Sequence, residues 1–161
     1  MRVALRACSD TIEAVARTTA QGANMVPWGV DRRPMPSGRA VGHLAPAQVG
    51  PFRRVKATAE TVKGGDPVYV TYEGPGAVFV EIGVMDRPEW ARDVVVTAAA
   101  EMTDAFPTDP RVASRDTEPS YFLHRGAEGA FFAWTRGSTY FSAHAKSGDA
   151  ALDAFMQAFP F

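Results

Sequence analysis

The sequence contains a single cysteine, Cys8, among its 161 residues. One cysteine excludes an intramolecular disulfide framework and any metal site built from several thiolates, and it agrees with a reducing compartment. The three histidines, His43, His124 and His144, are far apart in the sequence, and none has a partner at a metal-ligand spacing. We therefore expect a cytoplasmic protein without a metal ion or another cofactor.

Long apolar runs are also missing. Arg2 and Arg6 stand on either side of only three apolar residues, so the first residues lack the apolar core of a secretory signal, although an upstream start would reopen that question. The longest apolar stretch, residues 94–100, is interrupted by Thr97 and is far shorter than the roughly 20 residues that span a bilayer. We expect no signal peptide and no membrane-spanning helix.

No motif in the sequence identifies a reaction. Ser142 and His144 are two residues apart on a predicted strand, which places them on one face but roughly 7 Å apart along the backbone. No nucleophile elbow and no glycine pattern for an oxyanion hole accompanies them. The sequence therefore favours a non-enzymatic protein.

Acidic residues are scarce in the first third of the chain. Residues 1–56 carry nine Lys/Arg against three Asp/Glu, whereas residues 57–161 carry eight against fifteen, so the formal charges are +6 and −7. An acidic body would repel the phosphate polymer that a basic segment attracts, and no nucleic-acid-binding motif is present. The charge split favours a protein partner over a nucleic acid.

Residues 25–51 lack any regular hydrophobic period and are rich in proline and glycine. We expect an irregular basic arm that is ordered by contact, because Trp28 and repeated aliphatic residues are unusual in a disordered linker. The arm could lie on its own domain or on another chain. The predicted organisation is an N-terminal helix in residues 1–24, the arm in residues 25–51 and an α+β domain in residues 52–161.

The N-terminal helix is predicted from small side chains that recur every three or four residues between residues 3 and 19. Ser9 and Asp10, followed by Glu13, offer a later start for the same helix. Small side chains bury little area each, so this stripe suits close packing against another helix.

The rest of the chain alternates strand and helix patterns. The predicted strands span residues 52–58, 68–72, 77–84, 121–124, 130–135 and 139–145. Helical patterns follow the third and the sixth strand, near residues 88–105 and from Asp149. The predicted apolar stripe of the first of these helices is Trp90, Ala91, Val94, Val95, Ala98 and Met102. The predicted stripe of the second is Leu152, Phe155, Met156 and Phe159. This order predicts an α+β fold with a single twisted antiparallel sheet and the helices packed on one face. A turn at Gly137-Ser138 would set Trp134 opposite Phe141.

Three segments, residues 49–54, 68–72 and 129–142, resemble those of small bacterial proteins in which an aromatic FxW strand turns into a second aromatic strand, here with Tyr140-Phe141-Ser142, before a final helix. The order of elements is similar to the α+β sandwich of the photosystem II extrinsic protein P and its relatives. The resemblance implies an accessory or adaptor role and supplies no catalytic residue. It covers residues 49–161, so the N-terminal helix and most of the arm lie outside it.

The leading hypothesis is a protein-binding or assembly protein that packs its N-terminal helix and its arm on a partner chain or on a second copy of itself. The expected partner-binding residues are Trp28, Arg32, Arg33, Arg39, Arg53 and Arg54.

Two alternatives stay open. One is a small-molecule-binding domain or enzyme whose pocket lies between the polar sheet face and the arm. Its expected ligand-binding residues are Tyr72, Arg136, Tyr140, Ser142 and His144. The other is a peripheral contact of the basic arm with an anionic membrane surface.

Overall fold

The computed structural model of the protein describes residues 28, 35, 41–60, 67–105, 111–113, 121–127 and 129–161. The predicted N-terminal helix lies outside these residues, as do Arg32, Arg33 and Arg39 of the arm.

The described residues form one antiparallel sheet and three helices, which confirms an α+β fold. The strands are Gln48–Val49 (β1), Phe52–Ala59 (β2), Val68–Glu73 (β3), Ala77–Val84 (β4), Arg111–Ala113 (β5), Tyr121–Gly126 (β6), Gly129–Arg136 (β7) and Thr139–Ala145 (β8). The helices are Val41–Leu44 (α1), Pro88–Ala105 (α2) and Asp149–Ala158 (α3). The strand order is β1-β2-β3-β4-β8-β7-β6-β5, so two four-strand meanders join where β4 pairs with β8.

The register of the β7–β8 hairpin follows the sequence prediction. Phe132 pairs with Ala143 and Trp134 pairs with Phe141, across a turn in which Gly137 has a φ of 57°. A positive φ at this position suits glycine, which has no Cβ to clash with the backbone. Because side chains alternate along a strand, Phe132, Trp134 and Phe141 share one face of the sheet and Tyr140 lies on the other.

Helix α3 covers the face that carries Phe132, Trp134 and Phe141, and we call it the α3 face. The predicted apolar stripe of this helix is buried there: Leu152, Phe155, Met156 and, just after its end, Phe159. Trp134 stacks on Phe132 and Phe141, with ring centroids 4.8 and 5.1 Å away. Stacked and edge-on aromatic rings of this kind make up much of the main core.

Helix α2 lies on the opposite face, which we call the α2 face. Ala91, Val95 and Ala99 recur at every fourth residue and form a cluster with side chains of β6, β7 and β8: Phe122, Phe131, Ala133 and Tyr140. The prediction that the helices pack on one face is therefore wrong for α2 and α3. Trp90, which the periodicity placed on the buried stripe of α2, is 40% exposed.

The described residues of the arm belong to the main core. Trp28 is 1% exposed, and its ring meets Phe132 edge-on with the centroids 5.1 Å apart. Leu44 and Val49 are buried in the same cluster. Regular structure also occurs in this segment, because α1 and β1 lie within the residues that were expected to be irregular. At these positions the arm lies on its own domain.

Candidate binding surface on the α2 face

Helix α2 covers only part of its face of the sheet. Its contacts reach β6, β7 and β8, whereas the neighbouring strands β3 and β4 carry exposed aromatic side chains on the same face. Tyr69 on β3 is 41% exposed and Phe79 on β4 is 42% exposed. Tyr69 pairs with Glu81 and Phe79 pairs with Thr71, so the two rings are diagonal neighbours, roughly 7–8 Å apart at their Cα atoms.

Glu81 lies at the centre of this surface. It pairs with Tyr69 on one side and with Ser142 on the other, and the Tyr140 hydroxyl donates a hydrogen bond to its Oε1 atom. Tyr140 can reach Glu81 because its ring lies over Gly83, where a Cβ would overlap the ring. The absence of a side chain at Gly83 therefore leaves room for the Tyr140 ring, whose hydroxyl reaches Glu81.

Ser142 and His144 continue the same face along β8, and both are half-buried. His144 pairs with Phe79 on β4 and with Phe131 on β7, whose ring centroid is 6.3 Å from the imidazole. Lys146, just beyond β8, places its Nζ atom 5.9 Å from the centroid of the Phe79 ring. We call Tyr69, Phe79, Glu81, Ser142 and His144 the open patch.

The protonation states of these groups follow from burial and from their neighbours. Burial, together with the bond to Glu81, raises the pKa of Tyr140 far above its usual value, so its hydroxyl stays a donor. The Glu81 carboxylate raises the pKa of Tyr69, with smaller contributions from burial and from Glu60. Burial and the Lys146 cation lower the pKa of His144, which favours a neutral imidazole at pH 7.

The open patch presents groups that can contact a ligand or a partner. Among the described residues, no hydrogen bond joins Ser142 to His144, so the pair is not assembled as a nucleophile and its base. The described side chains also contain no group of three or more His, Cys, Asp or Glu that could hold a metal ion. What the patch offers is two exposed rings, a carboxylate, a hydroxyl and an imidazole.

The structure brings together three of the five residues predicted to bind a small molecule. Tyr140, Ser142 and His144 share the α2 face, as the register predicted. Tyr72 lies on the α3 face, fully buried, and its hydroxyl donates a 2.9 Å hydrogen bond to the Pro46 carbonyl. Burial raises the pKa of Tyr72 well above its usual value. Arg136 is half-buried at the end of β7, where it pairs with Thr139.

The residues predicted to bind a partner have different surroundings. Trp28 is buried against Phe132, and the Arg125 guanidinium lies 5.5 Å from its ring centroid. Arg54 donates a hydrogen bond to the Ala45 carbonyl and thereby ties the arm to β2. Arg53 is exposed on β2. Arg32, Arg33 and Arg39 lie outside the described residues.

Sequence reasoning missed Tyr69, Phe79 and Glu81 as a group. The signal was present in part, because Val78, Val80 and Ile82 alternate with Phe79 and Glu81 along one strand. The pairing of β4 with β8, which places Glu81 beside Ser142 and below Tyr140, joins residues about 60 positions apart and has no local signal.

Comparison with protein-family models, with curated proteins and with solved structures finds no match to this chain. None of the described helices is both long enough and apolar enough to cross a bilayer.

Proposed function

We propose that this protein is a non-enzymatic binding protein that docks a protein partner on the open patch. The observation that carries the proposal is the pair of aromatic side chains, Tyr69 and Phe79, each about two fifths exposed on neighbouring strands. Scattered single apolar residues are ordinary on protein surfaces, but adjacent exposed aromatic residues are typical of interface centres. The partner would cover the part of the α2 face that α2 itself leaves open.

The sequence suggested a protein-binding role through the N-terminal helix and the arm. We keep the protein-binding role but assign the contact to the open patch. Trp28 and Arg54 contact their own chain, so these two residues support the fold instead of a partner site. The same burial removes Trp28 as an anchor for a membrane surface. The proposed location remains the cytoplasm, on the ground of the single cysteine.

A photo-crosslinking amino acid placed at Phe79 tests the proposal in cells that express the protein. We expect a discrete protein adduct from position 79, lost when Tyr69 is also changed to Ser. The same crosslinker at Ala150, which is exposed on α3, serves as the matched control. An adduct of twice the chain mass would identify a second copy as the partner. Identical adducts from positions 79 and 150, or none from position 79, would contradict a docking role.

A second candidate function is the binding of a small molecule at the same patch. It is favoured by the hydrogen bond between Tyr140 and Glu81, which fixes a carboxylate beside the Ser142 hydroxyl and near the His144 imidazole. A metabolite that raises the melting temperature of the wild-type protein, but not that of a Glu81→Gln variant, would support this candidate. An equal shift in both proteins would place the ligand elsewhere.

A further inference from the structure

Glu81 is a half-buried carboxylate that accepts a hydrogen bond from a neighbouring hydroxyl. Tyr140 donates its hydroxyl hydrogen to Oε1. In the part of the chain that the structure describes, no Lys or Arg side chain forms a salt bridge with Glu81. Lys146, just beyond β8, lies over the Phe79 ring instead. A partly desolvated carboxylate in this position can gain a charge-assisted bond from an incoming cation.

The two exposed rings stand beside this carboxylate. Tyr69 is the cross-strand neighbour of Glu81, and Phe79 precedes Glu81 by two residues on the same face of β4. The Glu81 carboxylate also raises the pKa of its cross-strand neighbour Tyr69. A cation that pairs with Glu81 would therefore lie near at least one of the two aromatic side chains.

We infer that the open patch receives an arginine side chain presented by the protein partner, which pairs with Glu81 and stacks on Tyr69 or Phe79. A guanidinium group is planar, weakly hydrated and able to make two parallel hydrogen bonds to one carboxylate, whereas the compact lysine ammonium cannot stack in this way. This inference rests on the proposed function, because it names the chemistry of the partner at the same surface.

N-acetyl-arginine amide is the probe, and N-acetyl-citrulline amide is its uncharged control of similar shape. We expect millimolar arginine amide to shift the backbone amide resonances of Tyr69, Phe79 and Glu81 in nuclear magnetic resonance spectra, and citrulline amide to shift them much less. Lysine amide should bind more weakly than the arginine probe.

Two variants locate the contact. Glu81→Gln keeps an acceptor for the Tyr140 hydroxyl, so the fold should persist, and it should weaken binding of the arginine probe about fivefold, the upper range for a partly exposed ion pair. Tyr69→Ala, at an exposed position, removes one stacking surface without touching the core. Unchanged melting temperatures of both variants confirm that the comparison is between folded proteins.

Several results would overturn the arginine assignment: no resonance shift with the probe, equal shifts with citrulline amide, equal binding of lysine amide, or unchanged binding by Glu81→Gln. The proposed function has a separate readout. If the crosslink from position 79 forms with the same yield in Glu81→Gln as in the wild-type protein, the docking surface stands and the arginine contact fails. If position 79 gives no adduct at all, the proposed function fails as well.

Discussion

At the scale of single residues, Gly83 and Tyr140 show how one missing side chain shapes a surface. They are cross-strand partners on β4 and β8, and the ring occupies the space that a Cβ at residue 83 would need. An aromatic ring over a strand glycine protects exposed backbone and fixes the ring. Here the same arrangement brings the Tyr140 hydroxyl to Glu81.

The first prediction concerns this pair. Gly83→Ala should lower the free energy of unfolding by about 1–3 kcal/mol, because the added methyl group displaces the Tyr140 ring. The same substitution in a Tyr140→Ala background should cost much less, since the obstructed ring is gone. Urea unfolding of the four proteins gives the coupling energy directly. Additive effects of the two substitutions would show that the ring and the glycine are independent.

The second prediction concerns pH. Burial lowers the folded-state pKa of His124, and burial together with Lys146 lowers that of His144, relative to the ordinary value of 6.5. The unfolded chain then binds protons more readily than the folded protein as the pH falls below about 6.5. Stability should therefore be fully present above this pH and should decline towards acid.

Urea unfolding between pH 7.5 and pH 5 measures this decline. His124→Gln and His144→Gln should each make the dependence of stability on pH shallower. Ala150→Gln, at an exposed position on α3, is the matched control because it replaces no titratable group. An unchanged slope in both histidine variants, equal to that of the wild-type protein, would argue against burial as the cause.

At the scale of elements, the two long helices divide the faces of the sheet between them. Each follows a hairpin and each has an apolar stripe, yet α2 packs Ala91, Val95 and Ala99 on one face and α3 packs Leu152 and Phe155 on the other. The stripe of α2 has the smaller side chains, which bury less area each. In the part of the chain that the structure describes, α2 packs on β6, β7 and β8, and Tyr69 on β3 and Phe79 on β4 stay exposed.

Strand β2 shows how an exposed edge is kept from pairing further. Within the described residues, β1 pairs with it at Phe52 and Arg53, and the Arg54 N–H donates a hydrogen bond to the Ala47 carbonyl, so only the residues from Val55 onwards lack a paired strand on that side. A bulge between Arg54 and Lys56 interrupts the register with β3. Bulges and lysine residues are common at sheet edges because they discourage pairing with another chain. The edge is therefore a poorer docking surface than the open patch.

The third prediction tests how α3 is fixed. Arg125 on β6 forms hydrogen bonds of 2.8 and 3.3 Å with Asp153, approaches Asp149 at 3.4 Å and lies over the Trp28 ring. Arg125→Lys keeps the charge but loses the planar fork, and it should lower the free energy of unfolding by about 1 kcal/mol.

Arg87→Lys is the matched control in chemical denaturation. Arg87 also lies over a tryptophan ring, 5.6 Å from the centroid of Trp90, but both of these side chains are at the surface. Its replacement should change stability by less than about 0.5 kcal/mol. Equal effects at residues 87 and 125 would mean that the contacts with Asp149 and Asp153 add nothing measurable.

At the scale of the whole molecule, the arm and the sheet share one core. Trp28, Leu44 and Val49 are buried among side chains of β7, β8 and α3. Tyr72 and Arg54 bind carbonyl groups of the arm, at Pro46 and Ala45. These contacts predict that the arm and the sheet unfold together.

The fourth prediction follows from the burial of Trp28. Trp28→Ala should lower the free energy of unfolding by about 3–5 kcal/mol, as expected for truncation of a large buried aromatic residue. Trp90→Ala is the control, because its ring is 40% exposed, and its cost should stay below about 1 kcal/mol. Thermal and urea unfolding measure both. A small loss of unfolding free energy in Trp28→Ala would show that the arm does not unfold together with the core.

The sequence by itself determined the local part of this structure. The turn at Gly137-Ser138 set the register of β7 and β8, and the alternation of residues set which side chains of each strand share a face. The helical periodicity of α3 identified its buried residues correctly. These features depend on neighbours in sequence, where steric preference and hydrophobic pattern act directly.

Only the tertiary structure decided how these parts come together. The pairing of β4 with β8, the opposite faces taken by α2 and α3, and the burial of Trp28 all join residues that are distant in sequence. From its place in a basic arm, Trp28 was predicted to be an interface residue. In the structure its ring packs against Phe132 in the core. The open patch also depends on tertiary structure. Its two rings are exposed because α2 packs on other strands, and no local sequence pattern specifies where α2 packs.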